Sequence, residues 1–138
     1  MRCFPSNYKR ADNLCYSDCL PRDFPNTNTL TCDACPYDCY TCNINKNYCL
    51  SCNGTHDFRE MNQSTSRCQP LVGYFENMTT ICPQCPSTCF SCTSQTVCTS
   101  CQIGHFMRAD KMCYSGCLPR YFGNTQTLVC DICIDPYC

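Results

Sequence analysis

The chain has 138 residues, of which 21 are cysteine and only 22 are Leu, Ile, Val or Phe, and its formal net charge is −1. So small an aliphatic supply excludes an ordinary hydrophobic core. Lysines and arginines scattered singly exclude a nucleic-acid stripe, and no run approaches the roughly eighteen apolar residues of a membrane span, so neither nucleic acid nor membrane insertion of this segment is expected.

At the start, Met1-Arg2-Cys3 is followed by proline, asparagine and basic residues where the apolar run of an export signal would lie. Tyr8 to Cys15 places two alternating segments around Ala11-Asp12, which suits a small hairpin, and Phe24 to Cys32 reads as a second one around Pro25-Asn26. From Cys32 the cysteines run Cys-x2-Cys-x3-Cys-x2-Cys-x6-Cys-x2-Cys, ending at Cys52. An enlarged Cys52–Cys68 loop follows, then a hairpin from Phe75 to Cys82 around Glu76-Asn77. From Cys82 the spacing returns as Cys-x2-Cys-x3-Cys-x2-Cys-x5-Cys-x2-Cys. Phe106 to Cys113 again brackets an Ala-Asp turn, Phe122 to Cys130 brackets Gly123-Asn124, and Cys133 and Cys138 open a further series. Nine prolines and frequent turn formers argue against any long helix.

Residues 10–35 and 108–133 superpose without a gap at an offset of 98, with 18 of 26 positions identical. Arg10-Ala11-Asp12 returns as Arg108-Ala109-Asp110, Cys15-Tyr16-Ser17 as Cys113-Tyr114-Ser115, and Leu20-Pro21-Arg22 as Leu118-Pro119-Arg120. Within that period Cys32, Cys82 and Cys130 mark a shorter one of 50 and then 48 residues. The organisation is therefore an alternation of two module types: the end of a type A module over 1–34, a type B module over 35–84, a type A module over 85–132, and the start of another over 133–138. The expected fold class is small, disulfide-rich and mainly β, an elongated rod of stacked hairpin modules with little hydrophobic core. Short loops closed covalently need an oxidising compartment, which places the chain outside the cell or at its surface.

Three Asn-x-Ser/Thr sequons, at Asn53, Asn62 and Asn77, all fall in the type B module and in turns, where N-linked glycans are expected. Seven Cys-x2-Cys pairs raise zinc, but they follow one another more closely than the pairs of a tetrahedral thiolate site, and no metal is expected. The thioredoxin-type reading of Cys-x2-Cys lacks its strand-to-helix context. His56 and His105 are the only candidates for a general base, and both occupy a turn after a cysteine pair. With no paired-carboxylate signal and no phosphate loop, neither catalytic residues nor a cofactor are assigned and the chain is not expected to be an enzyme. The recurring Phe24, Phe75 and Phe122 read as covers over adjacent disulfides, with Tyr16, Tyr40, Tyr114 and Phe90 as exposed contact candidates.

The spacing Cys32-x2-Cys35-x3-Cys39-x2-Cys42-x6-Cys49-x2-Cys52, followed by Cys68 and Gly73-Tyr74-Phe75, resembles the furin-like repeats of growth-factor-receptor cysteine-rich regions and R-spondins. It is also similar to the long cysteine-rich surface proteins of ciliates and other protists. The modules are by that resemblance furin-like, and it implies pairing of Cys3 with Cys15, Cys19 with Cys32, Cys35 with Cys42, Cys39 with Cys49, and Cys52 with Cys68. It likewise implies Cys85 with Cys92, Cys89 with Cys98, Cys101 with Cys113, and Cys117 with Cys130; sequence alone does not choose this connectivity. Left over are Cys82, whose partner position holds Val72, together with Cys133 and Cys138. Cys82 is either an inert buried thiol or bonds between chains; Cys133 and Cys138 pair further along, with each other, or with another subunit. The receptor-gripping aromatic pair of R-spondins falls here on Asn43 and Tyr48, or Thr93 and Val97, so that activity is not carried over. Two functions are weighed: a structural or adhesive extracellular glycoprotein that associates with itself as a coat or fibre unit, and a receptor ectodomain segment or secreted modulator with a foreign protein ligand.

Overall fold

The computed structural model describes residues 3–43 and 46–135, and among these every regular element is a β-strand. Two compact units are built. One comprises the described residues up to Gln69 with Met78–Ile81, the other Pro70–Asn77 with the described residues from Cys82 onward.

In the first unit, β1 (Tyr8–Lys9), β2 (Cys15–Tyr16), β3 (Asp23–Asn26) and β4 (Thr31–Ala34) form one sheet in the order β2-β1-β4-β3. Both hairpins read from the sequence are present, β1 with β2 and β3 with β4, but the second turns over residues 27–30 and not around Pro25-Asn26, which lie in β3 opposite Cys32 and Thr31. They are joined by a parallel bridge between Lys9 and Thr31 that spans 22 residues and has no local sequence signal. Two-stranded pairs follow: β5 (Thr41–Cys42) with β6 (Cys49–Ser51), and β7 (Arg59–Asn62) with β8 (Arg67–Pro70).

In the second unit, β9 (Cys89–Ser94) pairs with β10 (Val97–Cys101) through three register shifts. Then β11 (Phe106–Met107), β12 (Cys113–Tyr114), β13 (Tyr121–Asn124) and β14 (Val129–Ile132) repeat the first sheet in the order β12-β11-β14-β13, with the parallel bridge now between Met107 and Val129. The repeat reaches the backbone angles. Left-handed residues fall 98 apart at Ser6 and Gly104 (φ 72° and 86°), Asn13 and Lys111 (67° and 64°), Arg22 and Arg120 (75° and 70°), and Leu30 and Leu128 (55° and 53°).

Sulfur forms the cores. In the first unit Cys39, Cys42, Cys49 and Cys68 cluster around Phe24, with Met61 at the edge. In the second, Cys85, Cys89, Cys92, Cys98, Cys101 and Cys113 cluster, with Phe75, Met107, Met112 and Leu128 packed against them. Phe24 is the only non-cysteine among the buried hydrophobic side chains of the described residues.

A further expectation is corrected. The hairpin from Phe75 to Cys82 reduces to a single bridge between Tyr74 and Gln84, supported by the Phe75 N–H to the Pro83 carbonyl at 3.0 Å. Val72 stands where the type A modules carry Cys19 and Cys117, the partners of Cys32 and Cys130, so no staple of that kind holds the arms in longer register. The aromatic cover is seen at Phe24, whose cysteine cluster comes from the module that follows it. Phe24 is 3% exposed against the Cys39 cluster, whereas Phe122 is 46% exposed, and it is Phe106 whose ring lies against β13 at Gly123.

Candidate functional site

The identities shared by the two type A copies build one local device. Asp12 accepts the Leu14 N–H at 2.9 Å and the Tyr16 hydroxyl at 2.9 Å, and the Arg10 guanidinium lies 4.0 Å above the Tyr16 ring. Asp110 accepts the Met112 N–H at 3.0 Å and the Tyr114 hydroxyl at 2.8 Å, with Arg108 4.0 Å above Tyr114. The Leu14 and Met112 N–H groups, followed by the tyrosine hydroxyls, hold both carboxyls below the usual carboxylate range. Donating those hydroxyl hydrogen bonds to the aspartates pushes both tyrosines up. The Arg-Ala-Asp and Cys-Tyr-Ser identities are thus a turn clamp. Tyr16 and Tyr114 lie beneath an arginine and Tyr40 is half-buried with Arg22 5.8 Å from its ring, while Phe90 remains exposed.

Among the described residues the buried polar side chains, Asp38, Asp57 and Arg59, all lie in the type B segment, and their burial was not legible in the sequence. Asp57 and Arg59 are each 1% exposed. Asp57 receives Arg22 Nη2 at 2.5 Å, and Arg59 donates to the carbonyls of Thr80 at 3.1 Å and Thr79 at 2.7 Å. Asp38, also buried, takes a two-pronged grip from Arg67, Nε at 2.7 Å and Nη2 at 2.5 Å, which raises the arginine pKa. A buried charge needs such partners. Because neither Asp57 nor Arg59 is repeated elsewhere in the chain, no internal periodicity flags them.

A third device is a loop headed by asparagine. In Asn26, Asn62 and Asn124 the side-chain oxygen accepts two backbone N–H groups, from residues two and three further on, at 3.0 and 3.3 Å. The amide nitrogens donate to Asp33 at 2.7 Å, Gln69 at 2.8 Å and Asp131 at 2.8 Å. Asn26, followed by the Thr31 hydroxyl, holds the Asp33 carboxyl below its ordinary range. Of the sequons, Asn62 is therefore such a loop head, Asn53 accepts the Thr55 hydroxyl at 3.0 Å, and Asn77 is exposed.

The structure joins Cys3 to Cys15, Cys19 to Cys32, Cys35 to Cys42, Cys39 to Cys49, and Cys52 to Cys68. It also joins Cys85 to Cys92, Cys89 to Cys98, Cys101 to Cys113, and Cys117 to Cys130. Cys82 is outside these bridges and buried, out of reach of another chain's thiol unless it is uncovered. Cys133 is disulfide-bonded, and Cys138 lies outside the described residues. Cys89, Cys98 and Cys113 come together, as do Asp38, Cys39 and Cys49, but in each group two of the sulfurs are bonded to one another and have no thiolate to offer a metal. His56 is exposed with Nδ1 3.1 Å from Asp57, and His105 Nδ1 is buried without a protein hydrogen bond.

No family model matches the chain. It is 33% identical over 136 residues, 96% of its length, to Furin-like protease 2 of Drosophila melanogaster. It is 35% identical over 137 aligned residues, 75% of its length, to Cysteine repeat modular protein 1 of Tetrahymena thermophila. The chain spans only 8% and 6% of those two proteins. The all-strand architecture with its nine described disulfides, together with these two relatives, fits a furin-like cysteine-rich repeat.

Proposed function

We propose that the chain is a structural or adhesive repeat unit of an extracellular glycoprotein, that it associates with copies of itself, and that it has no catalytic role. The observation that carries this reading is the rebuilding of one sheet, clamp and loop twice at a fixed offset, down to four paired left-handed residues. Near-identical surfaces presented repeatedly favour contacts with further copies of the same surface. Loops closed by disulfides suit an oxidising exterior, and cytosolic glutathione would open them. N-linked glycans on Asn53, Asn62 and Asn77 would lie on the type B module alone.

Sedimentation of the oxidised, thiol-blocked and deglycosylated chain over a range of concentrations, with and without reductant, tests the reading. Mass above that of one chain, rising with concentration, is expected. A size lost on reduction would indicate covalent linkage, and one retained would indicate association without it. A single-chain mass at every concentration, combined with tight binding of a foreign protein, overturns self-association in favour of a receptor segment or secreted modulator.

A further inference from the structure

Beside the second sheet lies an open groove of about 290 Å³. Met107, Leu118, Tyr121 and Val129 supply its apolar lining, and Arg108 and Lys111 stand with them. The N-terminal copy of the module is an internal reference for this surface. At the positions 98 residues earlier it carries Lys9, Leu20, Asp23 and Thr31 in the lining, with Arg10 and Asn13 as the remaining two. Three polar residues of one copy are thus apolar in the other, although 18 of 26 neighbouring positions are unchanged.

Charge changes with them. Arg10 has a carboxylate partner in Asp18 at 2.6 Å, whereas at the matching place Arg108, still above the Tyr114 ring, donates to the Gly116 carbonyl at 3.1 and 2.7 Å. Residues 9–34 hold three cations and four carboxylates; residues 107–132 hold three cations and two carboxylates. At the groove positions themselves the C-terminal copy is more apolar and holds two cations with no carboxylate, against two cations and Asp23 in the N-terminal copy. That face is distinct from the one the next hairpin covers. Phe24 is buried by the following cysteine hairpin, but Leu20 on the groove side remains 53% exposed with that hairpin in place.

We infer that this groove docks an extended acidic and apolar peptide segment of a partner protein. One or two aliphatic or aromatic side chains would lie on Met107, Leu118, Tyr121 and Val129, and a flanking carboxylate would meet Arg108 and Lys111. A cavity of this size accommodates side chains and is small for a cofactor. The cationic rim selects carboxylate-bearing partners and speeds their encounter. The inference does not depend on self-association.

The test uses the oxidised full chain, isotopically labelled, titrated with acetyl-Leu-Asp-Phe-Glu-Leu-amide and with its charge-inverted form, acetyl-Leu-Lys-Phe-Lys-Leu-amide. Saturable amide shifts at Met107, Lys111, Tyr121 and Val129 are expected with the acidic peptide, at an affinity at least tenfold above the basic one. The double substitution Y121D/V129T installs residues that the N-terminal copy carries in the same fold. It should lower the affinity at least tenfold and leave the spectrum of the first unit unchanged, and K111N should weaken binding and reduce its salt dependence. Absence of saturable shifts at millimolar peptide, equal affinity for the two peptides, shifts centred elsewhere, or full binding by Y121D/V129T would each overturn the inference.

Discussion

Arg67→Met isolates what the Asp38–Arg67 pair contributes. The Asp38 side chain is 6% exposed and accepts both prongs of an arginine that is 38% exposed. Removing the cation strands a carboxylate out of water, which costs about 3–5 kcal/mol when a pair is fully buried. Solvent reaches this arginine, so screening places the loss near the lower end, about 3 kcal/mol. Asp38→Asn keeps a neutral acceptor in place and should cost only about 1–2 kcal/mol. The double variant strands no charge, so it should be more stable than the sum of the two losses by at least ~1.5 kcal/mol. Urea unfolding of the oxidised protein, followed by near-ultraviolet circular dichroism of the tyrosines, gives the global values. Hydrogen exchange of the Cys49 amide, which donates to the Ser66 carbonyl at 2.8 Å, reports the local opening of that hairpin contact. A loss below about 1 kcal/mol for Arg67→Met, or strict additivity in the double variant, would refute the reasoning.

Further expectations concern the second sheet and pH. A side chain at Gly123 would place its Cβ 2.6 Å from the Phe106 ring, so Gly123→Ala should destabilise by about 1–3 kcal/mol in thermal melts, and Phe106→Leu should relieve part of it. Asn124→Ala removes three hydrogen bonds from its loop and should cost about 1–2 kcal/mol, with faster exchange at the Gln126 and Thr127 amides. The lowered pKa values of Asp12 and Asp110 mean that the fold prefers their ionised forms. Their contribution is present above about pH 4 and is lost as pH falls through the folded values. Tyr16 and Tyr114 are raised, so their contribution is present below about pH 10 and is lost as pH rises through their folded values. Asp12→Asn with Asp110→Asn should flatten both limbs of the stability profile, and tyrosinate absorbance should then titrate lower; an unchanged titration would remove the clamp from the explanation.

Length, cysteine spacing and the 98-residue offset were enough to specify a small mainly β fold of repeated hairpins, because each depends on local turn chemistry and on the shortage of aliphatic residues. Arg10-Ala11-Asp12 and its copy announce the same turn wherever they occur, since all partners of Asp12 lie within four residues of it. Contacts across long separations were decided only in three dimensions. The parallel bridge of Lys9 with Thr31 has no signal in a two-residue strand, and burial of Asp57 and Arg59 depends on Arg22, Thr79 and Thr80, which lie far from them in the chain. Phe24 and Phe122 read identically in sequence, yet one is covered by a cysteine hairpin and the other is open, because burial belongs to the neighbour and not to the residue. The groove likewise emerges only once β11, β13 and β14 bring Met107, Tyr121 and Val129 to one surface, where three scattered substitutions become a single apolar and cationic patch.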